Sequence, residues 1–250
     1  LLRRLEERTV KCLRIDSTID PQVKYDIFER LNTGSVKLEA QELRNAVARG
    51  RFNDAIKSLS KFSFFMEMLQ ISKSDADSNS KVKKMEDAEL VLRFFALRNG
   101  GYKTSRKSGF KDFLTAKLVE FNELDEAEIE QMKREFKACM LTIYANLGKY
   151  AFSKHRVEDG KSIKRMSTFN AAVYDAVAIG ISEVCNFEKI AKNFDFEKPS
   201  PDAADDDIID EDMMYALFDK RSFFESVSGS VNDVGKIVHR INAVKELLEE

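Results

Sequence analysis

Apolar residues recur at three- and four-residue steps through most of this 250-residue chain, and this periodicity constrains the fold more than any other feature. The clearest run extends from about Glu126 to Leu147, with apolar residues at Ile129, Met132, Phe136, Cys139, Met140, Ile143 and Leu147. Such spacing places the apolar side chains on one face of an α-helix. Because 43% of the residues are hydrophobic, the chain can bury a substantial core. We therefore predict a mainly α fold, a multi-helix bundle.

One short segment, residues 9–15, has the alternation of a β-strand, through Val10, Cys12 and Ile15. A lone strand cannot satisfy its own backbone groups, so we expect it to belong to an α/β sheet upstream of residue 1. The first residue is Leu1 rather than Met, which fits that expectation. The predicted organisation is a tail of an upstream domain over residues 1–19 and a helical domain over residues 20–250. The helical domain divides into helices of residues 20–122 and C-terminal helices of residues 123–250.

Charge and composition narrow the class of protein. Lys and Arg total 41 against 43 Asp and Glu, so the net charge of −2 does not favour strong binding to nucleic acid. No apolar run approaches the roughly 20 residues that cross a bilayer, and the charged start is unlike a secretory signal. We therefore expect a cytoplasmic protein without membrane contact. The three cysteines and two histidines lack the spacing of a metal site, and nucleotide-binding and hydrolase motifs are absent.

Two local segments are basic. Our candidates for nucleic-acid binding are the cations of the first segment, Lys103, Arg106, Lys107 and Lys111. The second segment runs from Lys149 to Arg165, and aromatic residues flank both segments, as in sites that combine phosphate contact with base stacking. In a chain that is 34% charged, a solvated face is the alternative interpretation.

The acidic run of residues 205–212 is likewise interpreted as a solvated segment or helix start, because it lacks the order of a calcium loop.

The most specific motif is F-E-R-L-N-T-G-S-V-K-L at residues 28–38, continued by Q-E-L-R-N at residues 41–45. On its residues alone it describes two helices joined by a tight turn at Gly34. The motif also resembles the signature of the GmrSD-type restriction endonuclease N-terminal family, whose members are ParB-like. The segment E-D-A-E-L-V-L-R-F-F-A at residues 86–96 resembles a later helix of that family. Sparser similarity extends to Phe152, Asn170 and the V-H-R-I segment at residues 238–241.

The resemblance implies a front domain, ParB-like and α/β in fold, with a D-G-Q-Q-R loop associated with nucleotide hydrolysis. No such loop occurs in this chain, so we expect no cofactor in it and a nucleoside triphosphate with a divalent metal in the complete protein. The residues expected to contact nucleotide or phosphate at the interface with that missing domain are Arg30, Asn32, Thr33, Gly34, Arg44 and Asn45. The alternative is structural, with Arg30 and Arg44 paired to Glu29 or Glu42. Ser35 replaces the second glycine of the family's pair.

Three hypotheses for function follow. The first is the helical portion of a stand-alone, ParB-like, nucleotide-dependent bacterial protein, a class connected with phage defence or restriction of modified DNA. In that case the complete protein is a candidate NTPase, and this chain alone is not. The second is a non-enzymatic helical scaffold for a protein partner or a homo-oligomer, suggested by 19 Phe and 6 Tyr. The third is a weak DNA-binding module.

Overall fold

A computed structural model describes residues 9, 14, 16, 18–32, 37–104, 108–158, 162–191, 194–201 and 208–249. The described part is mainly helical, as predicted, and its sheet consists of two antiparallel strands. The strand predicted for residues 9–15 falls almost entirely outside the described residues.

The helices and strands follow in chain order. The first half contains α1 Pro21–Leu31, α2 Ala40–Val47, α3 Arg51–Leu59, α4 Ser63–Met68, α5 Ser80–Lys83, α6 Glu86–Leu97, a 3₁₀ turn Gly101–Lys103 and α7 Phe110–Asn122. The second half contains α8 Glu126–Leu147, a 3₁₀ turn Gly148–Tyr150, β1 Lys154–Glu158, β2 Ser162–Ser167, α9 Ala171–Tyr174, a π-helical turn Asp175–Ile179, α10 Gly180–Val184, α11 Phe187–Ile190, α12 Glu211–Asp219, α13 Arg221–Ser226 and α14 Val234–Glu249.

Helix α8 is the central element of the core, and its bounds agree with the prediction. Asp125 caps it, because its carboxylate accepts a hydrogen bond from the Glu128 amide while the Glu128 carboxylate accepts one from the Asp125 amide. Phe136 lies in its buried face and contacts the rings of Phe65 and Phe94 edge-on, with centroids 5.3 Å and 5.2 Å away. These edge-to-face contacts join α8 to α4 and α6.

Ser167 is a residue type that often caps helices, but the helix that follows it begins later. Asn170 is the cap, and its side-chain oxygen accepts hydrogen bonds from the amides of Ala172 and Val173. Ser167 is instead the last residue of β2.

Farther along, a Cβ atom at Gly180 would lie 2.7 Å from the Val244 side chain, so glycine permits the close crossing of α10 and α14.

The interior holds a charged cluster that sequence analysis did not predict. Asp175, on the π-helical turn, accepts two hydrogen bonds of 2.5 Å from Arg93 on α6 and another from Arg240 on α14. Arg93 also donates to the side chain of Asn232 at 2.8 Å. Asp175 and Arg240 are fully buried. We call these four residues the Asp175 cluster; it ties three helical segments together.

The hairpin of β1 and β2 is also absent from the sequence predictions, which assign this stretch to a basic segment. Its strands pair from Lys154 opposite Ser167 to Glu158 opposite Ser162, with an irregularity between Lys154 and His155. Strand β2 is exposed along nearly its whole length, so it lacks the apolar alternation that marks a half-buried strand. The intervening sequence contains Asp159-Gly160, a dipeptide that favours hairpin turns.

Membrane-spanning helices and metal-ligand clusters are both absent from the described residues. No helix there is long and apolar enough to cross a membrane. No group of three or more His, Cys, Asp or Glu side chains there could hold a metal ion.

Candidate functional site

The turn between α1 and α2 carries the motif residues, and Asn32 closes it. The Asn32 side-chain nitrogen donates to the Leu38 carbonyl, and its side-chain oxygen accepts from the Leu38 amide, both at 2.8 Å. Glu42 then accepts a hydrogen bond from the Glu39 amide at 2.7 Å and caps α2. Thr33 and Gly34 lie outside the described residues. Asn32 is therefore engaged with the backbone on both sides of the turn.

Arg30 is exposed in the last turn of α1 and forms no ion pair with any described residue. Its neighbour Glu29 is 3.3 Å from the Lys111 ammonium at the start of α7. The pairing of Arg30 with Glu29, the alternative considered from the sequence, is therefore not formed. A guanidinium without a partner keeps its five donors available for a phosphate or carboxylate.

Arg44 occupies the opposite environment, fully buried between α2, α6 and α7. Its guanidinium donates to Glu89 at 2.8 Å, to Gln41 at 3.0 Å, and to the Thr115 hydroxyl and the Lys111 carbonyl at 3.2 Å each. The carboxylate partner is Glu89, not Glu42 as the structural alternative suggested. Arg44 thus fixes the helices behind the turn and does not present its charge on the outer surface.

Asn45 belongs to a side-chain relay that joins α2, α3 and α7. Its side-chain oxygen accepts from the Asn53 amide group at 2.9 Å. Asn122 accepts from the Asn53 backbone amide and donates to the Ala48 carbonyl, both at 3.1 Å. A Cβ atom at Gly50 would lie 2.3 Å from the Asn122 side chain, so this junction requires glycine. Asn45 braces the α2–α3 junction.

Large apolar side chains are exposed on the outer side of α1 and in the segment just before α2. Their exposed fractions are 47% for Val23, 40% for Phe28, 63% for Leu31 and 44% for Leu38. We call these four residues the α1 apolar face. Tyr25, on the inner side of the same helix, is fully buried, with the Arg44 guanidinium 5.9 Å from its ring centre. The helix therefore has apolar residues on two sides, and the described part of the chain covers one of them.

The cations proposed for nucleic-acid binding are only partly brought together. Lys111 is exposed but paired with Glu29, and it lies at the α1 end of the molecule. Lys103 is exposed, and its ammonium lies 5.3 Å from the centre of the Tyr102 ring. Arg106 and Lys107 lie outside the described residues. The described members do not form a continuous patch of unpaired positive charge.

A small polar cavity of about 60 Å³ lies between the hairpin and α12. His155 lines it, with the rings of Tyr215 and Phe218 edge-on at 5.2 Å and 5.6 Å. Burial lowers the pKa of His155, and the nearby Arg165 guanidinium lowers it further. His155 is therefore held in its neutral form near pH 7.

No family model, no curated protein and no solved structure matches the chain.

Proposed function

We propose that this chain is the helical portion of a ParB-like, nucleotide-dependent bacterial protein, and that the α1 apolar face docks a ParB-like α/β domain. The observation that carries the proposal is that this exposed face lies beside Arg30, whose guanidinium forms no ion pair with any described residue, and that Arg30 and most of the face belong to the motif that resembles the family. Phage defence or restriction of modified DNA is the biological setting that the resemblance implies. A nucleoside triphosphate and a divalent metal would then bind in the α/β domain.

The apolar face supplies the reason for docking. Val23, Phe28, Leu31 and Leu38 are each at least 40% exposed, and burial of an aliphatic or aromatic side chain of this size contributes about 1.5–3 kcal/mol when complete. Clustered exposure on one helix is typical of a surface that another domain covers. Arg30, which has no ion-pair partner in the described part of the chain, lies on the same helix and would enter the same interface.

The supporting residues hold the described segments on either side of the turn. Asn32 clamps the turn through its two bonds to Leu38, and Arg44 joins α2 to α6 and α7 from inside. Lys111 pairs with one carboxylate oxygen of Glu29, and Arg30 forms no ion pair within the described part of the chain. Arg30 is therefore the residue assigned to ligand contact, and Asn32, Arg44 and Asn45 are positioning residues.

The test is Arg30→Ala in a protein that carries this chain together with the ParB-like domain. We expect nucleotide turnover to fall at least tenfold while the free energy of unfolding changes by no more than about 1 kcal/mol. Arg221→Ala on α13 is the matched control, because it removes another exposed arginine outside the motif. Lost stability with unchanged turnover per folded molecule would contradict the proposal, as would robust turnover by these 250 residues alone.

The other occupant that the α1 apolar face could accept is a second copy of the chain. Light scattering during size-exclusion chromatography distinguishes the two cases. A stable dimer that Leu31→Ser converts to monomer would favour the scaffold hypothesis over docking of an α/β domain.

A further inference from the structure

The hairpin places two cations directly opposite each other. Arg156 on β1 pairs in register with Lys164 on β2, and both are exposed. Like charges at facing positions of an antiparallel pair repel each other. Within the described part of the chain, neither Arg156, Lys164 nor the adjacent Arg165 forms an ion pair with a carboxylate. The hairpin thus retains repulsion that an anionic partner would relieve.

Aromatic rings support these cations without neutralising them. The Phe224 ring centre lies 4.5 Å from the Lys154 ammonium and 5.5 Å from the Arg156 guanidinium. The Arg165 guanidinium lies 3.8 Å from the centre of the Tyr150 ring. Such contacts hold the side chains in place while the positive charge persists. Burial lowers the pKa of Lys154 and so does neighbouring Arg156, a sign of crowded positive charge. Glu158, the carboxylate on the described strands, is opposite Ser162 and two residues after Arg156, and it forms no ion pair with any described residue.

We propose that this hairpin is a contact surface for the phosphate backbone of double-stranded DNA. A two-stranded ribbon is one of the elements that the major groove, about 12 Å wide, can admit. The charge density also fits a polyanion better than a single carboxylate, because Arg156 and Lys164 share one face of the ribbon and neither forms an ion pair within the described part of the chain. The proposal is confined to contacts with phosphate, which position a protein on the duplex and carry no sequence information.

The experiment measures anisotropy of a fluorescein-labelled 20-base-pair duplex titrated with the 250-residue chain at several salt concentrations. The test variant is Arg156→Gln with Lys164→Gln. The matched control is Lys103→Gln with Lys111→Gln, which removes the same number of cations from the first basic segment. We expect weak binding by the wild-type chain, with affinity reduced about tenfold in the hairpin variant and less than twofold in the control. The slope of log affinity against log salt should decrease by about 1.8 in the hairpin variant, because each phosphate contact contributes about 0.9.

Several outcomes would overturn the proposal. These are absence of binding at 50 mM salt, equal loss of affinity in the control pair, and binding to polyglutamate or phosphatidylserine vesicles as tight as binding to DNA. Circular dichroism of both pairs confirms that they fold. If the hairpin pair does not fold, Lys164→Gln alone serves as the test, since Lys164 lies on the exposed strand. A slope unchanged by this single substitution also refutes the proposal.

Discussion

The Asp175 cluster and the turn between α1 and α2 both depend on arginine, with opposite results. In the cluster, the guanidinium groups of Arg93 and Arg240 are buried against one carboxylate and several neutral acceptors. Burial lowers the pKa of Arg240, whereas the carboxylate of Asp175 opposes that effect. At the turn, Arg30 is exposed and unpaired among the described residues, next to apolar side chains that are also exposed. The comparison separates charges that hold helices together from charges that remain available to a partner.

The largest expected effect is on the cluster. Asp175→Asn leaves two buried guanidinium groups without a carboxylate, which we expect to lower the free energy of unfolding by about 3–5 kcal/mol. Urea denaturation measures the change, and exposed Asp219→Asn on α12 is the matched control. If Asp175→Asn does not fold while Asp219→Asn remains folded and soluble, the result also supports a stabilising role for the cluster. Equal stability of the two variants would show that the cluster does not hold the helices.

The second effect contrasts the two motif arginines. Arg44→Met removes the donor to the Gln41 side-chain oxygen and to the Thr115 hydroxyl, and one of the donors to the Lys111 carbonyl, which keeps the Thr115 hydroxyl; we expect a loss of about 2–3 kcal/mol. The loss is smaller than in the cluster, because the partially exposed Glu89 can be hydrated. Arg30→Met is the matched variant and should change stability by less than about 0.5 kcal/mol. Similar losses for both substitutions would remove the distinction between the two arginines.

The smallest expected effect is on the pH dependence of stability, through the imidazole of His155. The folded-state pKa of His155 lies below its ordinary value of 6.5, so the unfolded chain binds the proton more readily. Stability is therefore fully present above pH 6.5 and decreases as the pH falls through that value toward the folded-state pKa. His155→Phe, which suits its aromatic surroundings, should flatten the dependence of Tm on pH between 8 and 5. His239→Phe, at an exposed position on α14, is the control and should leave that slope unchanged.

Local signals made parts of this structure predictable. Helix α8 has its own capping box and a single apolar stripe, so its local features agree on where it lies. The Asp175 cluster has no local signal, because Arg93 is 82 residues from Asp175 and Arg240 is 65 residues from it. The β1–β2 hairpin was missed since exposed, charged strands carry no apolar alternation.

The candidate site was predictable in position but not in the roles of its members. The motif located the turn, and Asn32 bonds across it as a local polar residue would. The burial of Arg44 depends on Glu89 and Thr115, 45 and 71 residues away, and no pattern near Arg44 reports them. The exposure of Phe28 and Leu31 was equally hidden, because an apolar stripe indicates burial without saying what covers it.

The Asp175 cluster also affects the order of events during translation. Arg93 and Asp175 can form a neutral pair as soon as both have left the ribosome, but Arg240 is synthesised 65 residues after Asp175. At 5–20 residues per second, this interval is roughly 3–13 s. During that time α14 is missing and the nascent chain exposes Gly180 and the apolar surface that Val244 and Ile241 later cover. Chaperones that bind exposed apolar surface have those seconds in which to engage the nascent chain, before Arg240 enters the cluster.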